Sequence, residues 1–204
     1  MKKQVIKTVI LVTFAAMLIT GCGKKKEETA KNNSDKTASA GIVDDEEYGD
    51  CIDMPAIAAT VKINDEQMQF PIDITKLKDT ISLGALEQTT NKNFYRGTLL
   101  DSDAVLGVVN LYSESGSVEE DGYIHFLEVT EGSPWYLSVG GVTFGASVEE
   151  VKNAIGTPSF ETGDESGSYR VYYENGTYEY LAFTFEGGTL KTISIEYLPK
   201  EWRQ

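Results

Sequence analysis

Few residues of this 204-residue chain could act chemically on a substrate. His125 is the single histidine, so any Ser–His–Asp or Cys–His site would have to use it as the base. It lies in Tyr123-Ile124-His125-Phe126-Leu127-Glu128-Val129, a strand-like run without a nucleophile motif, and it reads as a structural or surface histidine. Asp101-Ser102-Asp103 and Glu119-Glu120-Asp121 offer oxygen atoms to a cation. Neither has the spacing of a calcium loop with its central glycine and terminal glutamate, so both read as solvated turns. Asp164-Glu165-Ser166-Gly167 reads as a loop. Carboxylate pairs for glycoside hydrolysis depend on a separation in space that residue order does not carry. The expectation is no catalytic site, no metal and no cofactor.

The tyrosines carry more information. Asn175-Gly176 is a strong hairpin signal. A two-residue turn there pairs Tyr173 with Tyr178, Val171 with Tyr180, and Tyr169 with Ala182. That register places Tyr169, Tyr173, Tyr178 and Tyr180 on the face away from Leu181, Phe183 and Phe185. Tyrosine offers a large contact area at small entropic cost and is enriched at interfaces. These four are the candidate partner-binding residues. The alternative is cross-strand packing beneath the N-terminal half.

The remaining chemistry is at the N-terminus. Lys2, Lys3 and Lys7 precede an uncharged apolar run from Thr8 to Thr20. That run has the length of a signal-peptide core and is too short to span a bilayer as a helix. Ile19-Thr20-Gly21-Cys22 follows and resembles a bacterial lipobox, in which the cysteine after the cleavage point takes a diacylglycerol thioether. The resemblance implies a signal peptide over 1–21, lipidation of Cys22, and a membrane location on the extracytoplasmic face. Loss of 1–21 removes three lysines and no acids, moving the formal charge from −14 to −17. So acidic a surface repels nucleic acid and anionic headgroups, apart from Lys24-Lys25-Lys26 beside the anchor. With Cys22 lipidated, Cys51 has no disulfide partner and a cysteine zinc site is excluded. Cys51 then reads as a small residue at the domain edge, or else as a reactive thiol or a link to another chain.

Residues 22–50 read as a polar tether that cannot bury enough apolar surface to fold. Residues 51–204 suit one compact domain or two small modules, 51–134 and 135–204. In the second half, Ser147-Val148-Glu149-Glu150 is a capping box. Val148, Val151 and Ile155 share one helical face, and Gly156 and Pro158 end the helix at a left-handed C′ position. Strands follow at 169–174, 177–186 and 189–197. Leu181, Phe183, Phe185 and Leu190 share a face, but Ile193 and Ile195 have the opposite parity. A bulge near Lys191-Thr192 reconciles them, and the helix then packs on this face. The first half offers a hairpin around Asn64-Asp65, a helix over 75–83 closed by Gly84, and strands at 104–113 and 122–130. The expected class is α+β, with antiparallel sheets each carrying a short helix on one face.

Gly145-Ala146-Ser147-Val148-Glu149-Glu150-Val151, Ile155-Gly156-Thr157-Pro158, Tyr172-Tyr173 and Phe183-Thr184-Phe185 form a pattern over about 141–197. It resembles the modules of outer-membrane assembly lipoproteins of the SmpA/OmlA type and of the beta-lactamase inhibitor proteins. It is also similar to lipoproteins of Gram-positive bacteria. The resemblance implies a helix on one face of an antiparallel sheet, whose exposed side meets partner proteins, and two such copies in the inhibitor proteins. The expected function is therefore a membrane-anchored, non-enzymatic protein- or peptide-binding module without nucleic-acid partners. A cell-wall glycan or small-solute binder is the alternative, and an envelope enzyme the second alternative.

Overall fold

The computed structural model describes residues 51–77, 82–100, 104–110, 117–164 and 167–203. The expected signal peptide, Cys22, the expected tether and Asp101-Ser102-Asp103 lie outside the described residues, as does Glu165.

The strands in chain order are β1 (Lys62–Ile63), β2 (Glu66–Gln67), β3 (Ile72–Asp73), β4 (Glu87–Gln88), β5 (Phe94–Thr98) and β6 (Val105–Asn110). They continue as β7 (Gly122–Thr130), β8 (Leu137–Ser138), β9 (Phe160–Gly163), β10 (Ser168–Gly176), β11 (Glu179–Glu186) and β12 (Thr189–Tyr197). The helices are α1 (Met54–Ala58), α2 (Val118–Asp121) and α3 (Val148–Ile155). The fold is α+β, with antiparallel pairing. A nine-stranded sheet runs β4-β5-β6-β7-β12-β11-β10-β9, with β3 beside the start of β7. A three-stranded sheet, β2-β1-β8, joins residues 62–67 to 137–138.

The Asn64-Asp65 hairpin forms as expected, both residues having positive φ (52° and 66°). The expected helix over 75–83 does not match. A 3-10 turn covers Ile74–Leu77, residues 78–81 lie outside the described set, and Leu83 is bridged to Leu99. The Glu119-Glu120-Asp121 run, expected as a solvated turn, is exposed and forms the single helical turn α2.

One face of the large sheet is core. Leu106, Ile124, Leu127, Val129, Leu181, Phe183, Phe185, Leu190, Ile193 and Ile195 are all buried there. The β12 bulge falls where side-chain parity requires it. Thr184 faces Thr192 and Phe185 faces Leu190, so Lys191 is the extra residue. Val151 and Ile155 of α3 belong to the same cluster, and each fully buried aliphatic side chain contributes about 1.5–3 kcal/mol.

The α3 capping box is present in both directions. Ser147 Oγ accepts from Glu150 N–H at 3.3 Å, and Ser147 N–H donates to Glu150 Oε2 at 2.8 Å. The Ser147 N–H and the Ser147 hydroxyl, which also donates to Glu150 Oε2 at 2.8 Å, hold the Glu150 carboxyl below its usual range. Gly156 ends the helix at φ 116° and ψ −158°. This is an extended positive-φ conformation open essentially to glycine alone, rather than the expected left-handed one. Ser147→Ala should lower stability by roughly 0.5–2 kcal/mol, and Gly156→Val should lower it further. Chemical denaturation of the purified full chain in non-ionic micelles measures both. Unchanged midpoints would contradict this account of the helix ends.

The hairpin register corrects the tyrosine assignment. β10 runs through Asn175 and Gly176, and the two-residue turn is Thr177-Tyr178. Asn175 is unavailable for the turn because its side chain binds the entry of the domain. Its Oδ1 accepts from Cys51 N–H at 2.8 Å and from Ile52 N–H at 3.3 Å, and its amide donates to Ile52 O. A bulge at Glu174–Gly176 absorbs the offset. Tyr173 therefore faces Leu181 and Tyr169 faces Phe185, on the core side. Tyr173 is fully buried and donates to Gly156 O at 3.0 Å. Burial pushes its hydroxyl pKa upward.

Candidate binding face

The other face of the sheet carries no such core. A cross-strand row crosses seven strands in direct register: Glu174, Tyr180, Glu196, Phe126, Gly107, Arg96 and Glu87. Residues directly opposite in an antiparallel sheet share a face, so these project together. A parallel row adds Phe160, Tyr172, Ala182, Ser194 and Glu128. Phe160 stacks on Tyr172 at 4.3 Å between centroids, and Tyr172 lies 6.1 Å from Tyr180. Burial, chiefly, pushes the Tyr180 hydroxyl up to about 12 and raises the Glu174 carboxyl.

A third bulge, in β7, shapes this face. Gly107 pairs with Phe126 and the next residue, Val108, pairs with Ile124, so His125 is the inserted residue. Ile124 and Leu127 keep to the core side, and His125 and Phe126 occupy the interval between them. Gly107 makes room for the bulge. A Cβ there would lie 2.8 Å from Phe126 Cβ and 3.1 Å from His125 Nε2.

His125 is 95 % buried at this point, since its relative exposure is 5 %. Phe94 meets its ring edge-on at 5.2 Å, and the Tyr178 ring stacks on Phe94 at 5.4 Å. Tyr178 reaches there from the hairpin turn with φ 67°, a rare conformation for a bulky residue. Its carbonyl is pinned by the Leu198 N–H at 3.0 Å. Phe94, Tyr95, Arg96, His125, Tyr178 and Glu196 line an open cleft of about 360 Å³. A wider open groove of about 680 Å³ adjoins it, sharing Phe126, Tyr178 and Glu196 and adding Glu174 and Tyr180.

Inside the cleft His125 Nδ1 is buried without a hydrogen-bond partner among the described residues. Glu196 Oε1 lies 3.4 Å away, within ion-pair distance but outside hydrogen-bond alignment. A buried nitrogen left so costs about 1–3 kcal/mol relative to a satisfied one.

No family model, curated protein or solved structure matches this chain. The geometry alone sorts the candidates. Tyr178 and Tyr180 lie on the open face; Tyr169 and Tyr173 do not. Phe94, Phe126, Tyr172, His125 and Glu196 join the site without having been singled out as partner-binding. Only Tyr172 carried a local signal, as the residue of opposite parity to Tyr173. No serine or cysteine is among the described residues lining the cleft beside His125. Among the described residues no cluster of three or more His, Cys, Asp or Glu is placed to hold a metal ion. Cys51 is a half-buried free thiol at the domain edge, 3.1 Å from Ser159 Oγ. No described helix is long and apolar enough to cross a membrane.

Proposed function

We propose that this protein is a membrane-anchored extracytoplasmic lipoprotein that binds a protein or peptide segment on the open face of its large sheet. The observation that carries this reading is the row across seven strands, acidic and aromatic except at Gly107 and Arg96, opening into two shallow, connected recesses rather than an enclosed pocket. Enclosure with converging polar groups is what a small solute needs; a broad face suits a macromolecule. The face holds Glu87, Glu128, Glu174 and Glu196 against Arg96 and Arg170, and the chain as a whole carries −14. That charge suits a basic partner. Lipidation at Cys22 would attach the chain to the membrane.

A cell-wall glycan is the second reading. The stacked Phe160, Tyr172 and Tyr180 favour it, since sugar rings pack on such platforms. An envelope enzyme would need a nucleophile or second acid brought to His125. The tandem-module reading draws support from the strand order. The strands β4-β5-β6-β7 and β9-β10-β11-β12 each run in sequence, and their last members pair at the centre. A helical turn precedes each set, at Ile74–Leu77 and Val148–Ile155.

Tyr178→Ala and Tyr180→Ala should leave the melting temperature of the full chain nearly unchanged while each weakens partner binding. Truncating a buried interface tyrosine costs about 2 kcal/mol or more. The measurement pairs thermal melts in micelles with the yield of crosslinked complexes recovered from intact cells. If both variants melt normally and recover the wild-type complexes at wild-type yield, contact is made elsewhere. If both unfold, the face is core.

A further inference from the structure

Within the open face, one place has a chemistry more specific than a docking surface. Phe94 and Tyr178 form an apolar aromatic wall, met by the His125 ring steeply inclined to both, at 86° and 74°. Glu196 brings a carboxylate to that wall with a quarter of its side-chain surface exposed, 26 %. Among the described residues this carboxylate has no lysine or arginine partner; its ion-pair contact is His125 Nδ1 at 3.4 Å. That nitrogen is itself buried without a hydrogen bond. Arg96 lines the same cleft but stands directly across from Glu87 in the β4–β5 register, whereas Glu196 stands between Tyr180 and Phe126. Phe126 and Gly107 separate Glu196 from Arg96 by three strands in that row, so the cross-strand neighbours of Glu196 are aromatic and its carboxylate is open to an outside cation.

Aromatic faces and a carboxylate together recognise an organic cation. The ring quadrupoles attract the positive charge, their apolar surface accepts the methylene stem, and the carboxylate takes the charged N–H groups. Asn91, beside the cleft, adds a side-chain amide that can bond a passing backbone, while the Thr89 hydroxyl bonds the Asn91 backbone. An anion would meet Glu196 at close range and is disfavoured, as is a purely apolar group, which would bury that carboxylate unpaired.

We propose that the cleft bounded by Phe94, His125, Tyr178 and Glu196 is a subsite for the side-chain cation of a lysine or arginine in a bound protein segment. This rests on the open face being the binding surface, and it names what the face selects. The cation pairs with Glu196 and lies along the Phe94 and Tyr178 rings, with its stem pointing into the wider groove past Tyr180.

Two titrations on the full chain in non-ionic micelles test the subsite and the docking reading separately. In the first, the His125 ring signals are followed by NMR against N-acetyl-lysine methylamide and against its neutral isostere, N-acetyl-norleucine methylamide. The lysine probe should shift them saturably and the norleucine probe should not. Glu196→Gln should weaken the lysine response at least about tenfold, and Phe94→Leu should weaken it several-fold. Glu186→Gln, an equal charge change at an exposed position, should leave it unchanged. Equal responses to both probes, no response to either, or an unaltered response in Glu196→Gln would overturn the subsite. In the second titration, fluorescence anisotropy follows a labelled twelve-residue peptide of alternating Lys and Thr, and its norleucine counterpart. Preferential binding of the lysine peptide, lost in Glu196→Gln, supports both readings. Equal binding of the two peptides keeps the docking face and overturns the cation preference. If only the small lysine probe binds, the cleft takes a free organic cation, and the assignment to a protein segment is overturned.

Discussion

Tyr173→Ala should destabilise the folded domain by about 3–5 kcal/mol, the usual cost of deleting a core aromatic side chain. The residue lies on the face away from Leu181, Phe183 and Phe185 in an Asn175-Gly176 turn register and is fully buried beside them in the observed one. Its ring meets Phe183 at 6.1 Å, nearly perpendicular, and its hydroxyl closes the end of α3 through Gly156 O. Tyr173→Phe removes only that hydrogen bond and should cost about 0.5–1.5 kcal/mol. Tyr172→Ala, one residue away on the other face, should behave as a surface change of well under half the Tyr173→Ala loss. Domains of this kind hold only about 5–15 kcal/mol in total, so Tyr173→Ala should lower the melting temperature by roughly 10 °C or unfold the chain outright. Circular dichroism melts of the three variants give the comparison. A Tyr173→Ala protein as stable as Tyr172→Ala would contradict the register.

The second large effect concerns the proposed lipid anchor. Cys22→Ala should abolish acylation completely, because the cysteine thiol is the atom that forms the thioether and no neighbouring residue has one. Each buried methylene contributes about 0.8 kcal/mol to membrane attachment, and one acyl chain alone holds only marginally. The variant should therefore move from the membrane fraction to the soluble fraction and lose metabolic fatty-acid label. A variant that still labels and sediments with membranes would remove the lipoprotein reading.

What the sequence makes legible is local. The Ser147–Glu150 capping box and the Asn64-Asp65 turn are bonds within a few residues, and each forms. The bulge at Lys191 is also legible, because it is forced by the parity of Leu190 against Ile193 and Ile195. The misreadings of the tyrosine face and of His125 share one cause, which is contact from far along the chain. Asn175 leaves its turn because residues 51 and 52, more than 120 positions away, need its amide. That shift turns Tyr173 inward and puts Tyr178 on Phe94. Likewise His125 is one unremarkable residue in an apolar strand until β6 is laid beside it. Its bulge exists only as a mismatch of register between Gly107-Val108 and Ile124-Phe126. Pairing of β7 with β12, which joins the two halves in one sheet and makes the open face continuous, is equally non-local. The candidate site was therefore half legible, through Tyr178 and Tyr180, and its acidic and histidine components were not.

The central claim is that the open face, and not the helical side, is the contact surface. Placing a photoreactive benzoyl-phenylalanine at Tyr180, and separately at Lys152 on α3, tests it in intact cells. Irradiation followed by mass spectrometry of the crosslinked peptides identifies what each position touches. The account predicts adducts from position 180 that map to a discrete lysine- or arginine-bearing segment of a protein partner, diminished by Glu196→Gln, with none of that segment captured from position 152. Capture of the same segment from position 152 but not from position 180 would contradict it.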